Sequence, residues 1–173
     1  MIFLGKNSKT KKVDEKKYNI LYVDDEESNL RIFKTAFKRD YNIFLASSGL
    51  EAIKVLHQQA IHLIITDQKM PEMSGTEFLE KTIPEFPNII RIILTGFSDI
   101  EAIVRAVNKA NIYKYVTKPW NREDFKKIID EALALYQYRA DKDIKIALLE
   151  KENKILKEKI EELTEQLRFY KNV

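Results

Sequence analysis

The chain has 173 residues, 45% hydrophobic and 33% charged, enough for one ordinary globular domain with an appendage but too few for two full domains. It has no cysteine, which excludes a disulfide scaffold and a thiolate metal site and suits a reducing cytoplasm. The net charge of +3 is unevenly spread: residues 1–17 hold six lysines against Asp14 and Glu15, whereas residues 18–138 hold 15 basic and 17 acidic side chains. The positive charge therefore lies on an arm rather than a folded face, and direct nucleic-acid binding is set aside.

In chain order, "MIFLG" is too short for a signal-peptide core, and no apolar run approaches the ~18–20 residues that span a membrane. The chain reads as cytoplasmic, with no membrane partner. Residues 1–17 read as a basic, disordered arm. Strand-like apolar runs follow at 19–23, 41–45, 61–66, 89–94 and 112–117. Between them lie helical patterns at 27–38, 49–59, 75–82, 99–109 and from 122 onward. Ser48 with Glu51, Ser74 with Glu77, and Ser98 with Glu101 fit the capping box, in which hydroxyl and carboxylate satisfy the orphan N–H groups of the first turn. Five strands alternating with five helices imply a parallel sheet covered on both faces.

Ligands of such sheets bind beyond the carboxyl ends of the strands. Asp24 and Asp25 follow the first strand, Asp67 the third and Thr95 the fourth, and the fifth leads through Thr117 into Lys118 and Pro119. Clustered carboxylates need a cation to stay ionised together, and oxygen-only ligands point to a hard one, Mg²⁺ or Mn²⁺. Lys118 and Thr95 would then bind phosphoryl oxygens, with Asp67 placed as the nucleophile.

The motifs "ILYVDDE", "LIITDQKMPEMSG", "IILTG" and "YVTKPW", in this order, resemble the receiver domain of two-component response regulators over residues 18–138. The resemblance implies a flavodoxin-like fold with strand order 2-1-3-4-5 and phosphate accepted from a sensor histidine kinase or phosphotransfer protein. It also implies roles: Asp67 as phospho-acceptor, Asp25 as direct metal ligand with Asp24 beside it, and the Lys69 main-chain carbonyl as a further ligand. Thr95 becomes the switch hydroxyl, Lys118 the phosphate-binding lysine, Tyr115 the switch aromatic, and Lys118–Pro119 a cis peptide. Lys69 and Phe97 would border the path of attacking water and slow self-dephosphorylation. His57, His62 and Trp120 read as structural.

Residues 121–173 contain neither glycine nor proline. Ile146, Leu149, Asn153, Leu156, Ile160, Leu163, Leu167 and Tyr170 alternate at spacings of three and four. Ile at a, Leu at d and one buried Asn favour a parallel dimeric coiled coil over 139–173, with tight pairing only beyond Arg139 and Lys142. The alternative is an amphipathic helix folded back on the domain before it. No output-module motif follows the coil, as expected either of a fragment or of a chain whose coil binds a partner. Two other functions compete. A haloacid-type aspartyl-phosphate phosphatase needs an acid two residues after its nucleophile, where this chain has Lys69. A constitutive coiled-coil scaffold would have no use for Asp67, Thr95 and Lys118.

Overall fold

The computed structural model describes residues 18–96 and 111–171, without the side chains of the last three. The arm, the helix expected at 99–109, the Ser98–Glu101 cap, Phe97 and the Tyr170 side chain lie outside the described residues. Five strands form one parallel sheet: β1 (Asn19–Val23), β2 (Asn42–Ala46), β3 (Leu63–Asp67), β4 (Ile90–Thr95) and β5 (Lys114–Thr117), in the order β2-β1-β3-β4-β5. Among the described residues, three helices, α1 (Glu27–Phe37), α2 (Gly49–Gln58) and α3 (Gly75–Thr82), precede a C-terminal helix, Arg122–Lys171.

Alternation along each strand divides the core in two, because successive side chains leave a strand on opposite faces. Ile20 and Tyr22 of β1 join Leu63, Ile65, Ile92 and Leu94 under α1 and the C-terminal helix, where Phe33, Phe37 and Phe125 pack. Leu21 and Val23 join Ile64 and Ile93 under α2 and α3, against Leu56, Phe78 and Leu79. Tyr22 stacks on Phe33 at 4.1 Å between ring centroids, and Trp120 lies 5.3 Å from Phe125, so Trp120 is a packing residue as expected.

The strand ends differ from the sequence reading in instructive ways. Tyr41 is not in β2, because its N–H donates to Phe37 O at 3.0 Å and closes the turn after α1. Asp67 and Thr95 are the last residues of their strands rather than the first beyond them, paired with Leu94 and Thr117. Ser74 and Glu77 form the full capping box, whereas Ser48 forms half of one. The Glu51 carboxylate turns instead to the N–H and hydroxyl of Ser47, both at 2.7 Å.

Arg91, the second residue of β4, is wholly buried. Its guanidinium donates to the carbonyls of Ile89, Thr82 and Phe86 and to the Thr82 hydroxyl. It thereby ties β4 to the end of α3. His62 accepts the Asn19 N–H on Nδ1 at 2.9 Å, a structural role.

The C-terminal helix packs on the sheet only through its first part; Leu133 is its last buried residue, and residues 141–168 are exposed. It does not fold back on the domain. Among the described residues, no helix is long and apolar enough to cross a membrane.

Candidate functional site

Register places the chemistry. Val23 of β1 pairs with Thr66 of β3, so the next residue on each strand, Asp24 and Asp67, leaves the sheet at the same level. Thr95 pairs with Thr117, which brings Lys118 to the same rim. Together with Asp25, Glu26, Gln68, Lys69 and Gly96 these residues line a cleft of about 240 Å³.

Asp24 is almost fully buried, and both of its carboxylate oxygens accept hydrogen bonds. Its Oδ1 accepts from the Glu26 N–H (3.0 Å) and Asn29 (3.0 Å), and its Oδ2 from Asn29 (3.1 Å), the Tyr22 hydroxyl (2.9 Å) and Lys118 (2.9 Å). Burial works against its charge, but the bonds from Lys118, Asn29, Glu26 and Tyr22 prevail and hold its carboxyl below the usual carboxylate range. Burial beside that carboxylate pushes the Tyr22 phenol far upward and keeps it a donor.

Lys118 Nζ also reaches Asp67 Oδ1 at 2.6 Å, while Asp67 Oδ2 accepts the Lys69 N–H at 2.8 Å. One ammonium thus neutralises two buried carboxylates on neighbouring strands. Burial pulls the lysine's pKa down, but the hydrogen bonds it donates to Asp67 and Asp24 outweigh it and the net shift is upward. The Lys118–Pro119 peptide is cis.

Asp25 is exposed at the cleft mouth. Among the described residues no three acidic or histidine side chains stand together as a ready metal cage, and the Lys118 ammonium lies between Asp24 and Asp67. The donor chemistry nonetheless suits a hard cation: carboxylates and main-chain carbonyls, with no sulfur or imidazole in the cleft. The Thr95 hydroxyl, 1% exposed, donates to Gly96 O at 3.0 Å, and Tyr115 is 42% exposed.

The model for the response regulator receiver domain matches residues 20–130. The chain belongs to this family. Such receivers generally bind Mg²⁺ at the phosphorylation site and interact with histidine kinases or phosphotransfer proteins. The receiver is 33% identical over 122 residues to the hydrogenase transcriptional regulatory protein HoxA of Bradyrhizobium diazoefficiens, covering 70% of this chain and 25% of that one. It thus spans about a quarter of the length of the curated relatives it matches. A receiver domain protein from Clostridium thermocellum superposes with a TM-score of 0.66 at 29% identity, over 70% of this chain and 98% of that one. The signal receiver domain of an HD domain-containing protein from Pseudomonas fluorescens gives 0.68 at 28% identity, over 70% and 98%.

Three residues of the receiver's site were missed by sequence reasoning. Tyr22 and Asn29 bind Asp24 directly, yet each reads locally as an ordinary core or helix residue. Gly75 shapes the loop after Asp67: its N–H donates to Gln68 O at 3.1 Å, and a Cβ there would collide with the Asp67 carbonyl oxygen. The glycine next to a capping serine was the one available signal.

Proposed function

We propose that Asp67 accepts a phosphoryl group from a histidine kinase or phosphotransfer protein, and that a dimeric coil transmits the change. The observation that carries this is the Lys118 ammonium held 2.6 Å from Asp67 at the mouth of an open polar cleft. In the transfer, an Asp67 carboxylate oxygen forms the bond to phosphorus as the donor's N–P bond breaks. The Lys69 N–H keeps the carboxylate oriented, and Lys118 stays with the phosphoryl oxygens as charge develops on them. Asp24, Asp25, Asp67 and the Lys69 carbonyl would hold Mg²⁺, which when bound neutralises further charge on those oxygens. The Thr95 hydroxyl then turns from the Gly96 carbonyl to the phosphoryl group and Tyr115 moves inward, a two-state device.

In this reading the receiver occupies 18–138 and residues 139–173 pair in parallel. The exposure of Ile146, Leu149, Leu156, Ile160, Leu163 and Leu167, on the part of the helix beyond its packed start, supports it. The experiment is intact-mass measurement after acetyl phosphate with Mg²⁺. One phosphoryl group per chain is expected, none in Asp67→Asn, and loss of metal dependence in Asp25→Ala. Labelling of another carboxylate in Asp67→Asn overturns the assignment.

A further inference from the structure

Asp24 holds Lys118 but does not depend on it. Tyr22 and Asp24 stand two positions apart, where side chains leave a strand on the same face, and the Tyr22 hydroxyl donates to Asp24 Oδ2 at 2.9 Å. Asn29, in the first turn of α1, donates from its amide nitrogen to both carboxylate oxygens, at 3.0 and 3.1 Å. Asp24 thus accepts five hydrogen bonds from described residues and keeps four of them without Lys118. Tyr22 is itself fixed: it is 1% exposed, and its ring stacks on Phe33 with the planes 10° apart.

Lys118 is held differently. It lines the acceptor cleft and also a second hollow of about 460 Å³, walled by Tyr22, Asn29, Ile32, Pro119 and Trp120. With space on both sides, hydrogen bonds rather than packing keep its ammonium between Asp24 and Asp67. Every further donor to one of these carboxylates weakens that carboxylate's claim on the shared cation.

We propose that Tyr22 and Asn29 are positioning residues for phosphoryl transfer. They satisfy Asp24 in place of the ammonium, so that Lys118 can leave Asp24 and carry that N–H to a phosphoryl oxygen on Asp67. Without them a buried carboxylate would be stranded by the lysine's departure, and it would hold the lysine back. Neither side chain lines the acceptor cleft, so both act through Asp24. The proposal rests on the reading above, with Asp67 as acceptor and Lys118 as its phosphate ligand.

Tyr22→Phe removes one hydroxyl and keeps the stack on Phe33, and Asn29→Ala removes the amide from the same carboxylate. Intact mass followed over time with acetyl phosphate and Mg²⁺ should show phosphorylation slowed about three- to tenfold in each variant, less than the full value of one hydrogen bond to a charge. The Lys118 Nζ resonance of ¹⁵N-lysine-labelled protein, assigned by its absence in Lys118→Arg, separates positioning from mere structure. Saturating beryllofluoride with Mg²⁺, a mimic of the phosphoryl group, should shift it in the wild type and shift it less in both variants. Phosphorylation at the wild-type rate in the two folded variants overturns the proposal. So does slower phosphorylation with a Lys118 shift equal to that of the wild type. Both outcomes leave the acceptor assignment standing, whereas a wild type that takes no phosphoryl group on Asp67 overturns that assignment and this proposal with it.

Discussion

Lys118 and Asp67 meet at 2.6 Å, and the same ammonium lies 2.9 Å from Asp24. The lysine comes from the loop after the edge strand, whereas Asp67 ends β3 and Asp24 directly follows the adjacent β1. A single cation therefore balances two negative charges that the sheet forces to the same rim, and this ratio sets what substitutions there should do.

Lys118→Met should destabilise the fold by about 2–3 kcal/mol, because it leaves two buried carboxylates without their cation in a partly solvated site. Adding Asp67→Asn should return part of that loss. Urea denaturation of the single and double variants measures the coupling, and strictly additive effects would contradict a shared ammonium.

Stability should fall at both pH extremes for stated reasons. Asp24 has a lowered pKa when folded, so its contribution is fully present above the unfolded value of about 4 and is lost as pH falls through the folded one. Lys118 has a raised pKa, so its contribution is present below about 10.4 and is lost as pH rises through the folded value. Denaturation midpoints across the acid range should fall less steeply in Asp24→Asn; an unchanged acid limb would remove Asp24 from the explanation.

Two glycines at helix starts should respond oppositely to alanine. At Gly75 the new Cβ meets the backbone of Asp67, which cannot yield without moving the acceptor, so a loss of roughly 1–3 kcal/mol and weaker phosphorylation are expected. At Gly49 the nearest atom is the Met73 sulfur at 2.9 Å, the end of a flexible side chain. Gly49→Ala should be neutral or stabilising, up to about 1 kcal/mol from helix propensity. Thermal unfolding of both variants compares them directly.

Lys69 is exposed two residues after the acceptor, at the edge of the cleft. Lys69→Asn should shorten the lifetime of the phosphorylated state by opening a path for water. Equal hydrolysis rates in the two proteins would show that this side chain gives no shielding.

The helix beyond residue 140 should associate. Leu156→Lys should dissociate a dimer, whereas Asn153→Leu should raise its thermal stability and admit other oligomers or orientations, because the buried amide is satisfied only in register. Sedimentation of the unphosphorylated protein tests both. A monomer at tens of micromolar, for a wild type whose seam is intact, would speak against constitutive pairing.

By itself the sequence determined the alternation of five apolar runs with helical patterns, and hence the parallel sheet. It also determined the Ser74–Glu77 box, which is local chemistry within four residues. Even the rim was legible, because topology alone sends Asp24, Asp67, Thr95 and Lys118 to the carboxyl ends of their strands. Only the tertiary structure decided how these groups divide their partners. Tyr22 and Asn29 act on Asp24 because a strand and a helix turn back on each other, and Lys118 meets Asp24 across 94 positions of chain. Arg91 reads as a polar interruption in "IIRIIL", yet it is buried because carbonyls from three separate positions surround it. Gly75 looks like any residue after a capping serine until the Asp67 carbonyl is seen against it. Local patterns follow from backbone geometry repeated every two or 3.6 residues, whereas these contacts depend on which distant segments the packed core brings together.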